Sequence, residues 1–202
     1  MSKYFDEKAV EWDADDRRRQ LSSAIGSSVL NHIPLDEQMV VLDFGAGTGL
    51  ISAYIAPRVK KIVATDTSEA MLAELTAKQE LRGKVEAVCV DITSTPLGSN
   101  FDLVVSAMAM HHVPDTAKLI RSFADHLKPG GMLALADLDT EDGSFHPEEA
   151  AGVFHHGFDR EELQGLLEMC GFGDIRFFTA HTIIKDETQY PVFLVTATRN
   201  QS

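Results

Sequence analysis

From residue 39 onward the apolar positions come as short, nearly continuous runs separated by segments of helical spacing. The runs are Met39–Phe44, Lys61–Asp66, Lys84–Val90, Phe101–Ala107 and Met132–Ala136. Between them lie Leu50 to about Pro57, a stretch with Met71, Leu72 and Leu75 behind a Thr67-Ser68 cap, and Pro114–Leu127 with Leu119, Ile120 and Phe123 on one face. Lys128-Pro129-Gly130-Gly131 marks a turn before the fifth run. Strands that are apolar almost throughout, alternating with helices, predict a mostly parallel sheet covered on both faces. Asp159 then caps a helix over Arg160–Cys170 that stops at Gly171. Ile175–Ile183 and Pro191–Thr198 are β-rich and predict a closing antiparallel pair. The expected fold is α/β, with seven strands of which the first five are parallel.

Two regions depart from this rhythm. Residues 1–35 carry Tyr4, Phe5 and Trp12 among many charges, followed by Leu21, Ala24, Ile25, Val29 and Leu30 at helical spacing, ended by Pro34. They predict an N-terminal helical cap at the domain edge, or a lid over a ligand site, ahead of a main domain at 36–202. Residues 139–158 are polar, rich in acids and histidines and short of periodic apolar positions, which predicts a long loop of functional kind.

Composition narrows the class. At 202 residues, 44% hydrophobic and 24% charged, the chain is long enough for one well-cored domain. Thirty-one acids against 18 bases give a formal charge of −13, which repels nucleic acid and anionic membranes alike. The one tight basic cluster, Arg17-Arg18-Arg19, is flanked by Asp13, Asp15 and Asp16 and reads as a solvated helix face. Cys89 and Cys170 are the only cysteines, both in apolar contexts, which points to a reducing compartment. With charges throughout the N-terminus and no apolar run of membrane-spanning length, the expectation is a cytoplasmic protein.

The chemistry gathers at strand ends. The first strand runs into Gly45, Gly47 and Gly49, alternating with Ala46 and Thr48, a turn whose backbone a ligand can approach closely. Asp43, Asp66, Asp91 and Asp137 stand at or just after four strand ends, the side on which parallel sheets bind ligands. A dinucleotide is the first candidate, since Asp66 follows the glycines by about twenty residues. The glycines, however, run G-x-G-x-G rather than G-x-G-x-x-G, and Asp43 would face a pyrophosphate with like charge. A ligand with an adenosine, no phosphate and positive charge near the turn fits better, and S-adenosylmethionine has that combination.

The stretches VVLDFGAGTG (40–49), IVATDTSEAML (62–72), CVDI (89–92), FDLVVSAMAMHHVPD (101–115) and LKPGGMLALAD (127–137) together resemble a class I S-adenosylmethionine-dependent methyltransferase of Rossmann-like fold. The likeness is to the small-molecule type similar to the ubiquinone/menaquinone-biosynthesis methyltransferases. It implies that Asp43, Gly45, Ala46 and Gly47 form the floor under the methionine part. It implies also that Asp66, followed by Thr67, takes the ribose hydroxyls, that Met71 and Ile92 flank the adenine, that Asp91 accepts its amino group, and that Ala107 borders the sulfonium. The acceptor would be a small molecule. His111 is the candidate base or substrate contact, while Tyr4, Trp12, His155 and His156 are candidates for the acceptor pocket or lid. The acids and histidines after residue 137 offer metal ligands in principle, but a calcium-loop register fails at Asp142 and Pro147, and no metal is expected. A non-catalytic S-adenosylmethionine-binding or sensing protein and a nicotinamide-dependent oxidoreductase are the alternatives. Oligomeric state is not legible here.

Overall fold

The computed structural model describes residues 2–146 and 152–201. Its centre is a seven-stranded sheet: β1 Val40–Phe44, β2 Lys61–Asp66, β3 Val85–Cys89, β4 Phe101–Ala107, β5 Leu127–Leu138, β6 Phe172–Lys185 and β7 Thr188–Arg199. The order is β3-β2-β1-β4-β5-β7-β6. The first five strands pair in parallel, and β7 runs antiparallel between β5 and β6. Strand order reverses direction between β1 and β4, so a crevice opens beyond their carboxyl ends, the place where open α/β sheets bind ligands.

Alternation along the strands divides the core between the two faces. Val41, Leu103, Val105, Ala134 and Ala136 face one side, where they pack with Ile25 and Val29 of α2 (Asp16–His32) and Ile51 and Ile55 of α3 (Leu50–Ile55). Leu42, Val104, Leu133 and Leu135 face the other, against Leu119, Ile120 and Phe123 of α5 (Thr116–His126) and Leu163 and Leu167 of α6 (Arg160–Met169). Between α3 and α5 in the chain, α4 (Glu69–Ala77) is capped by Ser68, whose Oγ accepts from Met71 N at 3.1 Å. Asp115 and Asp159 cap α5 and α6 through backbone N–H groups of their first turns.

The final strands are longer than their apolar cores. β5 begins at Leu127 because the Lys128–Gly131 turn is taken into the strand as an irregularity between its pairings to Phe101 and Leu103, with Gly130 at a φ of +76°. β6 and β7 extend past the expected runs at both ends of the hairpin, through Phe172–Asp174, Ile184–Lys185, Thr188–Tyr190 and Arg199, where backbone pairing carries polar as well as buried apolar residues such as Phe172 and Tyr190. The N-terminal segment forms α1 (Ser2–Lys8), a 3₁₀ turn over Ala9–Ala14, and then α2. Among the described residues no helix is long and apolar enough to cross a membrane.

Candidate functional site

A cavity of about 370 Å³ lies at the β1/β4 switch point, with the N-terminal segment as its cover. Its floor is the glycine turn. Gly45, Gly47 and Gly49 have φ of +64°, +54° and +81°, a region that side chains rarely adopt. A Cβ on Gly45 would collide with the Cβ of Ala109, and one on Gly49 would come within 2.8 Å of Leu75 Cγ. At Gly47 a Cβ would meet nothing within 4 Å. The outer two glycines therefore close the turn against β4 and α4, while the middle one leaves backbone open to the cavity.

Asp43 stands beneath this turn. It is only 2% exposed, and Oδ2 accepts from Ser52 Oγ of α3 at 2.6 Å. Burial, reinforced by the charge of Asp66, pushes its carboxyl up to about 7, against which the Ser52 bond works. No cationic side chain is bonded to it among the described residues. Asp66, at the end of β2, is also raised by burial, opposed by backbone donors. Its Oδ2 accepts from Gly47 N at 2.8 Å and its Oδ1 from Ser68 N at 2.9 Å, which fixes the carboxylate at the cavity edge with lone pairs remaining. Asp91 is exposed and turns its Oδ1 back to Thr93 N and Oγ1, yet it lines the cavity with Thr93 and Val90.

Among the residues singled out from sequence, Asp43, Gly45, Ala46, Gly47, Asp66, Thr67, Met71, Asp91, Ala107 and Trp12 line this cavity. Others do not. Ile92 is 1% exposed within the core on the α5 side, and Val90, just past the end of β3, lines the cavity in its place. Tyr4 is half exposed and packs edge-on against Phe5, which supplies the aromatic wall instead. His155 sits in a separate shallow groove, with Nε2 2.9 Å from the Val113 carbonyl, and His156 is exposed beside Glu141. Asp137 does not face the cavity with the other three acids. It is fully buried and accepts from His111 Nδ1 at 2.7 Å.

His111 is accordingly drawn away from the cavity, and His112 occupies the wall. Arg18, Met108, Val113 and Lys118 are further lining residues that the sequence did not mark. Arg18 escapes the solvated face assigned to its neighbours by lying over the Trp12 ring, 3.8 Å from guanidinium carbon to centroid. Met108 has a φ of 54° directly after β4, a turn that apolar periodicity cannot signal.

The cover is tied to the floor by polar bonds. Asp13 Oδ1 accepts from Thr48 Oγ1 at 2.6 Å, its Oδ2 pairs with Lys78 Nζ at 2.6 Å, and Asp6 Oδ1 accepts from Ser68 Oγ at 2.6 Å. Phe5 meets His112 edge-on at 5.2 Å and Trp12 at 5.6 Å. Among the described residues no three His, Cys, Asp or Glu side chains converge to hold a metal ion.

A glycine floor at the switch point of a Rossmann-like sheet, with carboxylates at successive strand ends, defines an α/β protein with a ligand cavity beyond its strand ends. The comparisons with known proteins sharpen that class. Residues 42–135 match the family model described as a methyltransferase domain. The chain is 35% identical over 171 residues to an uncharacterized methyltransferase of Schizosaccharomyces pombe, covering 76% of this chain and 60% of that protein. It is 32% identical over 147 residues to a ubiquinone biosynthesis O-methyltransferase of Xanthomonas campestris, covering 66% and 58%. The chain thus spans about 60% of the length of these relatives. Among solved structures, a Haemonchus contortus phosphoethanolamine N-methyltransferase 2 in complex with S-adenosylmethionine superposes with a TM-score of 0.73 at 16% identity, over 98% of this chain and 60% of that one, a likeness of fold. Residues 42–135 thus carry a methyltransferase domain of the class I, S-adenosylmethionine-dependent kind.

Proposed function

We propose that the protein transfers a methyl group to a small-molecule acceptor by direct in-line displacement. The observation that carries this is Asp43: a buried carboxylate raised to about 7, without a cationic partner among the described residues, beneath an open glycine backbone. Such a group favours a cation and disfavours a phosphate. The donor set therefore fits S-adenosylmethionine, whose methionine part carries an ammonium and a sulfonium. When bound, that cofactor supplies an activated methyl group on a good leaving group, so no acid is required.

Asp43 and the Gly45–Gly47 backbone would hold the methionine part, Asp66 with Thr67 the ribose, and Met71 with Val90 the adenine. Asp91 would serve the adenine amino group once it has freed a lone pair from its own turn, and Ala107 would border the sulfonium. The chain's task is alignment and the exclusion of water, and alignment alone supplies roughly 7–11 kcal/mol of barrier reduction. Residues 1–35 act as the lid that excludes water, because Phe5, Trp12, Arg18 and Leu21 roof the cavity and Asp13 and Asp6 latch it. A closed roof leaves room for a compact acceptor, and the net charge of −13 disfavours nucleic acid. The relatives named for ubiquinone biosynthesis support a small acceptor.

The test is incubation with methyl-labelled S-adenosylmethionine and mixed small-molecule, RNA and protein fractions. Label entering the small-molecule fraction is the expected result. Cofactor binding with no transfer to any fraction would instead establish the non-catalytic alternative.

A further inference from the structure

The histidines beyond β4 and β5 form a cluster that cofactor binding does not use. His111, His112 and His146 have ring centroids 4.1, 5.0 and 6.0 Å apart. The Nε2 atoms of His111 and His146 are buried without a hydrogen-bond partner among the described residues. Buried polar atoms left unpaired are costly, so such a pair marks a place that a further group must complete. Only His112 of the three lines the cavity. Its Nδ1 lies 2.8 Å from the Gly152 carbonyl oxygen, which only accepts; Nδ1 therefore carries the proton and Nε2 the lone pair.

We infer that His112 Nε2 is the proton acceptor of the acceptor site, and that the acceptor is a protic nucleophile, a hydroxyl or neutral amine, rather than a carboxylate or thiolate. This rests on the reading of the cavity as the S-adenosylmethionine site. In the step, a lone pair of the acceptor oxygen or nitrogen forms the bond to the methyl carbon, and the electron pair of the broken carbon–sulfur bond stays on sulfur. The acceptor proton passes to His112 Nε2, which becomes an imidazolium.

Burial, and then the neighbouring His111, push the His112 imidazole down to about 4, so its lone pair is free at neutral pH. So weak a base suffices because the acceptor's O–H or N–H becomes strongly acidic as the new bond to carbon forms. The ionisable groups facing His112 are His111 on its own turn, His146 from the loop after β5, and Asp137 at the end of β5; α1 presents the apolar ring of Phe5. Of these only Asp137 is an acid. It holds the His111 ring through Nδ1 and supplies the negative charge that favours the imidazolium, which makes His111 and Asp137 positioning residues.

The experiment pairs nitrogen NMR of the histidine side chains with transfer assays on catechol, aniline and propionate as probes. Bound to S-adenosylhomocysteine at neutral pH, His112 is expected to show a protonated Nδ1 and a bare Nε2 whose signal moves on adding catechol. Methyl label should enter catechol or aniline and not propionate. His112→Asn, which retains a donor for the Gly152 carbonyl, should lower kcat about 100-fold or more while cofactor affinity stays close to wild type. Asp137→Asn should shift the His112 titration to still lower pH and reduce kcat. A protonated Nε2, preferred transfer to propionate, undiminished turnover in His112→Asn, or cofactor binding without transfer to either protic probe overturns the inference alone. Failure to bind S-adenosylmethionine overturns the parent reading and this one with it.

Discussion

At the scale of single residues the decisive positions are Asp43 and Asp66. A carboxyl raised from 3.8 to about 7 is protonated in the folded protein where the unfolded chain has already ionised it. Its contribution to stability is therefore fully present below pH 3.8 and is lost as pH rises through about 7. A bound ammonium favours the ionised form, so cofactor affinity should rise as pH increases through about 7, with net proton release on binding below it. Calorimetry in buffers of different ionisation enthalpy measures that release, and Asp43→Asn should abolish it. Both acids were legible in the sequence because they end apolar strands. His112 was not distinguished from His111, because adjacent residues in a 3₁₀ turn differ only in direction, and Asp137 settles which ring is drawn inward.

At the scale of elements, the glycine turn and the N-terminal cover do different work. Gly45→Ala would set a Cβ against Ala109 and strain a φ of +64°, so it should impair folding and cofactor binding together, read by urea denaturation and calorimetry. The cover is fastened from outside the domain. Thr48→Val removes the hydroxyl that Asp13 accepts from, at a cost of about 0.5–1.5 kcal/mol of closure. Faster cofactor dissociation should follow, visible in stopped-flow fluorescence of Trp12, with the thermal midpoint nearly unchanged. Unaltered dissociation would remove the latch from the account. Apolar periodicity placed β2 and β4 at their observed bounds and the helices within a residue or two at most ends. It offered a cap or a lid for residues 1–35 but could not show where they pack, since that depends on side-chain bonds from Asp6 of α1 and Asp13 of the 3₁₀ turn to residues 62 and 35 positions away.

At the scale of the whole molecule, sheet order explains why residues so far apart in the chain meet. β1 and β4 are neighbours, with paired positions 62 residues apart in the chain, only because β2 and β3 lie on the opposite side of β1, and the reversal of order opens the crevice. Anything that fills it favours the folded state. A hundredfold excess of S-adenosylmethionine over its Kd should stabilise the fold by about 2.7 kcal/mol. For a domain of this size that is a rise of about 5–11 °C in the thermal midpoint. The mostly parallel sheet and its antiparallel close were readable from strand patterns, whereas the strand order was implied by family resemblance alone.

The most direct measurement is a calorimetric titration of the wild-type protein and Asp66→Ala with S-adenosylmethionine, with NADH as control. The account predicts one cofactor site in the wild type, weakened by about 1.5–3 kcal/mol in the variant through loss of charge-assisted hydrogen bonds, and no heat from NADH. Binding of NADH in place of S-adenosylmethionine, or equal affinity in wild type and variant, would contradict it.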